Sequence, residues 1–246
     1  GQLTQGKNIM KRIFISDLHL DANRKDLTGA FTRFLSEHCQ TINELYILGD
    51  FFELWLGDDD QSPLNNEVIE SLSSLSCDVF IMHGNRDFLI GQAFCNAAGA
   101  KLLPDPYPII LGDQPALLMH GDSLCTRDEE YMKARTLLRS DAFQQDFLSK
   151  QMQERKIIAE QIRGKSQKVS REKAEDIMDV TPEEVTKVMN QAKTPILVHG
   201  HTHRPAIHEV DLQFGPGTRY VLGDWHTSTQ FLRADGADLE LVQYNF

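Results

Sequence analysis

The chain has 246 residues, 41% of them hydrophobic, and a formal net charge of −11. This length suits one or two domains with a sizeable core. The negative charge argues against a nucleic-acid partner, because a phosphate backbone recruits Lys and Arg.

The chain begins with a polar stretch, residues 1–9, that lacks the apolar core of a signal peptide. We predict a tag remnant or a disordered extension there and one domain over residues 10–246. No apolar run approaches the roughly 18 residues of a membrane-spanning helix. The four cysteines form no C-x-x-C pair, which favours free thiols in a reducing compartment.

Five short apolar runs are predicted to be strands buried on both faces, because each is nearly unbroken. They are Arg12–Ser16, Leu45–Leu48, Val79–Met82, Ala116–Met119 and Pro195–Val198. The first four recur about every 35 residues, which leaves room for crossover helices. We predict these helices over 26–38, 64–75 and 90–99. A further helix is predicted to begin after Thr181, its N-cap, and to end near Lys193.

The interval between the fourth and fifth runs is twice as long as the others. Residues 128–163 are rich in helix formers and contain neither Pro nor Gly, so we predict an inserted helical lid at about 125–180. Within 150–173, eight Lys or Arg residues stand against three Glu. We interpret this basic patch as attracting phosphate and anionic lipid, and a solvated helix face is the alternative.

The last part of the chain has a different pattern. Residues 206–212, 219–224 and 237–244 are short, alternating and bounded by turns, which predicts antiparallel strands. Helical and strand segments together predict an α/β architecture with mixed sheets.

A polar cluster follows every one of the five predicted buried strands. The clusters are Ser16–His19, Gly49-Asp50, His83–Asp87, His120–Asp122 and His199–His203. In open α/β sheets, ligands bind outside the carboxyl ends of the strands. We therefore expect these five distant clusters to meet at one place.

The clusters supply seven nitrogen and oxygen ligands for metal ions. They are Asp17, His19, Asp50, Asn85, His120, His201 and His203. Asp17 and His19, two apart, are expected to project from the same side of a strand. The carboxylate of Asp50 can bridge two ions. Taken singly, each cluster is also typical of a turn or a polar loop, but together they predict two divalent ions that clamp a displacement at phosphorus.

This ordered set of motifs resembles the signature of the calcineurin-like metallophosphoesterases over residues 10 to about 226. The resemblance implies a sandwich of two mixed β-sheets flanked by helices. It implies a first ion bound by Asp17, His19, Asp50 and His203, and a second bound by Asp50, Asn85, His120 and His201.

Arg86 departs from the pattern, because most of that superfamily has His after Gly-Asn. An arginine cannot donate a proton near neutrality, but its planar fork binds phosphate oxygens and offsets developing charge. We interpret Arg86, with Asn85, as catalytic toward a substrate with an extra phosphate. A salt bridge to a neighbouring carboxylate is the alternative.

Four longer stretches resemble the UDP-2,3-diacylglucosamine diphosphatases of lipid A biosynthesis in Gram-negative bacteria. They are GDFFELWLGDDD (49–60), MHGDSLCTRDEEY (119–131), IMDVT (177–181) and HGHTHRPAIHE (199–209). The resemblance implies a hydrolase that splits the diphosphate bond of UDP-2,3-diacylglucosamine into UMP and 2,3-diacylglucosamine 1-phosphate by attack of metal-activated water on the α-phosphorus. It further implies two divalent ions, with Mn²⁺ preferred, and a reaction at the cytoplasmic face of the inner membrane. We predict a cytoplasmic monomer that is soluble or binds this membrane peripherally.

The same resemblance implies which residues contact the UDP-sugar head group. They are Asn85, Arg86, Asp128, Arg163, Ser166, Ser170, Lys173 and His201. Ser170 departs from the Asn or Thr of the relatives. The acyl chains are assigned to a slot lined by apolar residues, for which ordinary packing of the lid on the core is the alternative. These are Trp55, Phe88, Phe143, Phe147 and Met152.

Two other functions are compatible with parts of the same pattern. A broader-specificity nucleotide or phosphodiester hydrolase is disfavoured by the basic lid and by Arg86. A non-catalytic scaffold is expected to have lost metal ligands, whereas all seven are present.

Overall fold

A computed structural model describes residues 9–172 and 178–246, and the side chains of residues 9–165 and 178–246. The extension predicted at the start of the chain therefore lies, except for Ile9, outside the described residues. The strands are β1 (Lys11–Ile15), β2 (Glu44–Leu48), β3 (Asp78–Met82), β4 (Ala100–Leu103), β5 (Tyr107–Leu111), β6 (Gln114–Leu118), β7 (Ile196–His199), β8 (Ala206–Leu212), β9 (Gly215–Val221), β10 (Ser228–Asp235) and β11 (Asp238–Asn245). The helices are α1 (Lys25–His38), α2 (Pro63–Ser73), α3 (Gln92–Ala98), α4 (Glu129–Leu138), α5 (Asp141–Ser149), α6 (Met152–Glu172) and α7 (Pro182–Ala192).

The strands form two mixed sheets that pack face to face, so the predicted fold class is confirmed. The first sheet has the order β11-β10-β1-β2-β3-β4, and the second has the order β5-β6-β7-β9-β8. Strands β1 to β4 are parallel, as are β6, β7 and β9, and the remaining pairs are antiparallel. In both sheets the parallel strands point their carboxyl ends to one edge.

Alternate side chains of the parallel strands enter different cores, which explains their unbroken apolar runs. Phe14, Tyr46 and Phe80 belong to the core between the sheets and stack with ring centroids 4.9 and 4.7 Å apart. Ile13 and Ile47 belong to the core on the opposite face, under the helices.

The predicted strands differ from the observed ones mainly at and near the sheet edges. Strands β4, β5 and β10 were not predicted, and β9 begins at Gly215 and not at residue 219. Strands β8 and β9 are antiparallel, as are β10 and β11, which confirms the expectation of antiparallel strands in this part of the chain, but β9 also pairs in parallel with β7. Its Gly-Pro-Gly beginning is typical of a turn, and pairing with two neighbours overrides that tendency.

Helices α4, α5 and α6, called the lid below, are inserted between β6 and β7. The two ends of the insertion meet where Thr181 N donates to Leu124 O at 2.8 Å. The hydroxyl of Thr126 donates to that of Thr181 at 2.8 Å. Thr181 precedes α7 as predicted, but its side chain makes this contact and does not cap the helix.

Packing of the lid on the main domain uses the apolar residues assigned above to an acyl slot. Trp55 and Phe147 are buried in the core under the helices, and Phe88, Phe143 and Met152 pack against it. These contacts match the packing alternative, and the slot itself stays a prediction. Among the described residues, no helix has the length and apolar character needed to cross a membrane.

Arg155 is buried, so the interpretation of the basic patch as a surface for phosphate and anionic lipid is wrong for this residue. Its Nη1 donates to Leu56 O at 3.1 Å and to Asp59 Oδ1 at 2.7 Å, and its Nη2 donates to Leu148 O at 2.7 Å. This arginine fastens α6 to the loop after β2 and does not face a ligand or a lipid surface.

Candidate metal centre

The seven predicted ligands meet at the carboxyl edge of the two sheets. They lie in the connections that follow β1, β2, β3, β6 and β7. Asp17, His19 and His203 form one group, and Asp50, His120 and His201 form a second. Within each group the potential ligand atoms lie within 4.8 Å of one another. The described residues therefore include two neighbouring groups that could each hold a cation.

Asp50 lies between the two groups. Its Oδ2 is 3.7 Å from His19 Nε2, in the first group, and 3.6 Å from His120 Nε2, in the second. One carboxylate oxygen thus faces imidazole nitrogens of both groups. This is the position that a bridging ligand requires.

Asn85 completes the second group. Its Oδ1 lies 3.1 Å from His120 Nε2 and 3.2 Å from His201 Nδ1. The amide oxygen and the two imidazole nitrogens therefore converge on one point.

The donor atoms suit divalent cations. Asp17 and Asp50 are almost fully buried, and their negative charges repel each other. The buried atoms Asp17 Oδ1 and His19 Nε2 have no hydrogen-bond partner among the described residues. Buried polar atoms nearly always have a hydrogen-bond partner. An unpartnered oxygen and nitrogen that face each other are therefore suited to coordinate a cation between them.

The backbone at the ligands is unusual and corrects one expectation. Strand β1 ends at Ile15, so Asp17 and His19 do not share a side by strand alternation. Five ligands adopt left-handed φ angles: Asp17 (56°), His19 (49°), Asp50 (51°), His201 (71°) and His203 (57°). Such conformations cost free energy in residues other than Gly and concentrate at functional sites. Successive left-handed turns, held by Asp17 N→Gly49 O and His19 N→Asp50 O at 3.0 Å each, aim these side chains inward.

Two glycines allow the ligand loops to approach each other closely. A Cβ atom on Gly84 would lie 2.2 Å from Asp50 N. A Cβ atom on Gly200 would lie 2.1 Å from Ser16 Oγ and 2.3 Å from Asp17 Oδ2. Packing therefore requires glycine immediately before Asn85 and before His201.

Second partners fix the orientation of the ligands. His120 Nδ1 donates to Leu48 O at 2.7 Å, which leaves Nε2 free to bind a cation. Glu53 Oε2 lies 3.0 Å from His19 Nδ1, and this contact leaves Nε2 of His19 free to bind a cation. Asp17 Oδ2 accepts from Ser16 Oγ at 2.6 Å and from His201 N at 2.9 Å, so Oδ1 is left for a cation.

Asp87 holds the loop that carries the bridging carboxylate, a role that the sequence analysis missed. Its carboxylate accepts from the backbone amides of Gly84 at 2.8 Å, Phe51 at 2.8 Å and Asp50 at 3.2 Å. Burial and the nearby charge of Asp50 raise the pKa of this carboxyl group. The available signal was an acidic residue two positions after a ligand in the HGNRD motif.

A second missed residue, Asp122, joins the lid to the centre. Its buried Oδ2 accepts from Tyr131 OH at 2.8 Å, Arg135 Nε at 2.8 Å and Arg139 Nη2 at 3.3 Å. These donors are four residues apart on α4, so one helix face converges on one carboxylate. Burial opposes ionisation of Asp122, but the cations around it, with His120 foremost, lower its pKa.

The proposed head-group residues are only partly described. Arg86 Nη1 lies 3.9 Å and Arg163 Nη2 lies 3.4 Å from the same atom, Glu53 Oε1. The salt bridge considered as an alternative for Arg86 is therefore present. Asp128 is the N-cap of α4 and accepts from Tyr131 N at 3.2 Å. The side chains of Ser166 and Ser170 and the whole of Lys173 lie outside the described residues.

Comparisons with known proteins agree with this geometry. A family model described as calcineurin-like phosphoesterase matches residues 10–205. A UDP-2,3-diacylglucosamine hydrolase of Marinobacter nauticus is 49% identical over 92% of this chain and 93% of its own length. Proteins of the same name from Cellvibrio japonicus (47% identity, 96% of this chain and 100% of that one) and Pseudomonas aeruginosa (48% identity, 92% and 95%) are also similar.

A solved structure supports the fold at much lower sequence identity. Vacuolar protein sorting 29 from Cryptosporidium parvum is 15% identical and matches with a TM-score of 0.51. The match covers 98% of this chain and 99% of that chain. It shows the shared sandwich and carries no information on activity.

Proposed function

The chain belongs to the calcineurin-like phosphoesterases and, within them, to the UDP-2,3-diacylglucosamine hydrolases, and we propose that its seven converging ligands bind two divalent ions for this reaction. It is a hydrolase that splits the diphosphate bond of UDP-2,3-diacylglucosamine and releases UMP and 2,3-diacylglucosamine 1-phosphate. The lipid-linked UDP-sugar is accordingly its substrate.

When bound, the two ions supply an activated water and neutralise charge on the phosphate oxygens. Asp17, His19, Asp50 and His203 would hold one ion, and Asp50, Asn85, His120 and His201 would hold the other. The guanidinium group of Arg86, beside the centre, binds phosphate oxygens and offsets the charge that develops during attack on the α-phosphorus. Arg163 brings a second guanidinium group from the lid to the same side.

The position of Asp50 between the two ligand groups is the observation that carries the proposal. A single oxygen lies 3.7 Å from His19 Nε2 and 3.6 Å from His120 Nε2, which supports a carboxylate shared by two ions. The two arginines near this centre favour a diphosphate over the simple phosphodiesters of the broader-specificity alternative.

Product analysis by mass spectrometry in H₂¹⁸O tests the substrate and the site of attack together. We expect ¹⁸O in UMP and none in the sugar phosphate, because water attacks the α-phosphorus. Label in the sugar phosphate would overturn the assignment of the α-phosphorus. Rapid hydrolysis of bis-p-nitrophenyl phosphate with no turnover of the UDP-sugar would favour the alternative.

We propose Mn²⁺ as the metal. Four imidazole nitrogens with carboxylate and amide oxygens, and no thiolate, suit intermediate divalent ions over Ca²⁺ or copper(I). Activity of EDTA-treated enzyme restored by Mn²⁺ at lower concentration than by Mg²⁺ or Ca²⁺ supports this assignment, and equal restoration by all three contradicts it.

We also propose that the chain acts as a monomer on the cytoplasmic face of the inner membrane. All seven ligands and both arginines come from one chain, which supports the monomer. The exposed apolar side chains Leu148 and Ile157, with exposed Lys156 and Lys165 on the same lid, support peripheral membrane binding. Sedimentation with anionic vesicles tests this binding, and retention in the supernatant at low salt would contradict it.

A further inference from the structure

Glu53 lies beside both the metal centre and the lid, and its contacts extend beyond the orientation of His19. Its backbone amide donates to Leu20 O at 3.0 Å, next to the bridge between Leu20 and Phe52. This pairing fixes the backbone three residues after Asp50. The Glu53 side chain is 16% exposed, so its carboxylate has only limited access to water.

The two oxygens of Glu53 have different kinds of partner. Oε2 lies 3.0 Å from Nδ1 of the metal ligand His19. Oε1 faces Arg163 Nη2 at 3.4 Å and Arg86 Nη1 at 3.9 Å. One carboxylate therefore contacts a ligand of the first group, an arginine of the core and an arginine of the lid.

The contact with His19 determines which imidazole nitrogen faces the centre. An acceptor at Nδ1 keeps the proton there and directs Nε2 toward Asp17 and Asp50, whose oxygens are both 3.7 Å away. An uncharged carbonyl oxygen at the same place would have the same effect, because the contact needs only a hydrogen-bond acceptor.

The contacts of Glu53 with the two arginines are longer and weaker than its contact with His19. Distances of 3.4 and 3.9 Å exceed the roughly 2.7–2.9 Å of a direct charge-assisted hydrogen bond. The arginine side chains are 27% and 39% exposed, which screens the attraction. Both guanidinium groups thus face a carboxylate that holds them loosely and that phosphate oxygens can replace.

We propose that Glu53 is a positioning residue with two separable roles. Through Oε2 it orients His19 for metal binding, and through Oε1 it holds Arg86 and Arg163 near the centre until the phosphates of the substrate take them over. The second role rests on the proposed function, since it assumes that these arginines contact the diphosphate. In that role the carboxylate competes with substrate, so removal of its charge strengthens phosphate binding.

Two substitutions separate the roles. Glu53→Gln keeps an acceptor for His19 and removes the charge, so Mn²⁺ affinity stays within about 3-fold of wild type while UMP binds several-fold more tightly. Glu53→Ala removes the acceptor as well, and Mn²⁺ affinity falls by about 10- to 100-fold. Both affinities are measured by calorimetry, with Mn²⁺ alone and with UMP added to the Mn²⁺-loaded enzyme.

Asp224→Asn is the matched control. Its carboxylate lies 3.7 Å from Nδ1 of another ligand, His203, and no ion pair among the described residues joins it to either arginine. A general loss of negative charge would tighten UMP binding equally in Asp224→Asn and Glu53→Gln. Equal tightening would therefore overturn the competing role.

The remaining outcomes also decide the proposal. Unchanged or weaker UMP binding by Glu53→Gln overturns the competing role, and wild-type Mn²⁺ affinity in Glu53→Ala overturns the orienting role. Failure of the proposed function is distinct from both, because wild-type enzyme would then leave the UDP-sugar intact. Because Gln preserves the volume of Glu, the Glu53→Gln result stands even if Glu53→Ala does not fold.

Discussion

Arg139, at the end of α4, donates a hydrogen bond of 2.8 Å to the carbonyl oxygen of Gly84, the residue before the ligand Asn85. The same Nη2 atom lies 3.3 Å from Asp122, two residues after the ligand His120. One lid side chain therefore joins two of the loops that build the second ligand group. A change in the lid can alter the metal centre through this contact.

Arg139→Met should lower both stability and activity. The substitution keeps an unbranched apolar stem but removes the guanidinium group and leaves Gly84 O and the buried Asp122 with fewer donors, at a cost of about 1–3 kcal/mol. We expect a lower Tm and about a 10-fold loss in kcat/KM. Lys133→Met, on an exposed face of the same helix, is the control and should change neither. Wild-type stability and kcat/KM in Arg139→Met would show that the contact is dispensable.

Gly200→Ala should disrupt the first ligand group. The new Cβ atom would lie 2.3 Å from Asp17 Oδ2, so the carboxylate or the loop must move. We expect Mn²⁺ affinity to fall by more than 10-fold in calorimetric titration. Gly29→Ala in α1 is the matched control, because its nearest contact is the flexible Arg33 at 3.5 Å and Ala favours a helix by about 1 kcal/mol. Equal Mn²⁺ affinity in the two variants would contradict the packing argument.

Metal binding should release protons near neutral pH. Burial disfavours the charged form of His19, but the carboxylates of Asp17 and Glu53 raise its pKa to about 10 in the metal-free protein. Protonated His19 therefore stabilises the metal-free fold. This contribution is complete below pH 6.5 and is lost as the pH rises through about 10. Mn²⁺ must displace the proton, so its apparent affinity rises with pH over this range.

Calorimetric titrations with Mn²⁺ at pH 7, in two buffers of different ionisation heat, measure this proton release directly. We expect at least one proton released for each chain that binds metal. Identical heats in the two buffers would show that His19 is already neutral before the metal binds.

The sequence was sufficient to predict the features that depend on local patterns. Unbroken apolar runs identified β1, β2, β3, β6 and β7, and the polar residues after each run identified the seven side chains that meet at the candidate metal centre. Parallel strands of one sheet share a carboxyl edge, which accounts for the meeting of the clusters after β1, β2 and β3 and of those after β6 and β7. Strand β10 was missed because only Phe231, Leu232 and Ala234 are apolar within it, and two of these are adjacent.

The features that could not be predicted depend on contacts between distant segments. The left-handed conformations of Asp17 and His19 follow from hydrogen bonds to Gly49 and Asp50, on another strand's loop, and no property of the Asp-x-His triplet indicates them. The pairing of Arg139 with Gly84 spans 55 residues. In the sequence Arg155 is one of several cations on a predicted helix surface. Only the fold shows that it is buried and donates to three backbone carbonyl groups.

The number of Mn²⁺ ions bound per chain tests the central claim, a pair of ions that share Asp50, most directly. It is measured by equilibrium dialysis and elemental analysis on wild-type enzyme and on Asp50→Asn. We predict two ions in the wild type, and weakened binding of both in the variant, because each site loses a ligand. A wild-type enzyme that binds one ion or none at saturation, or a variant that binds two as tightly as wild type, would contradict the account.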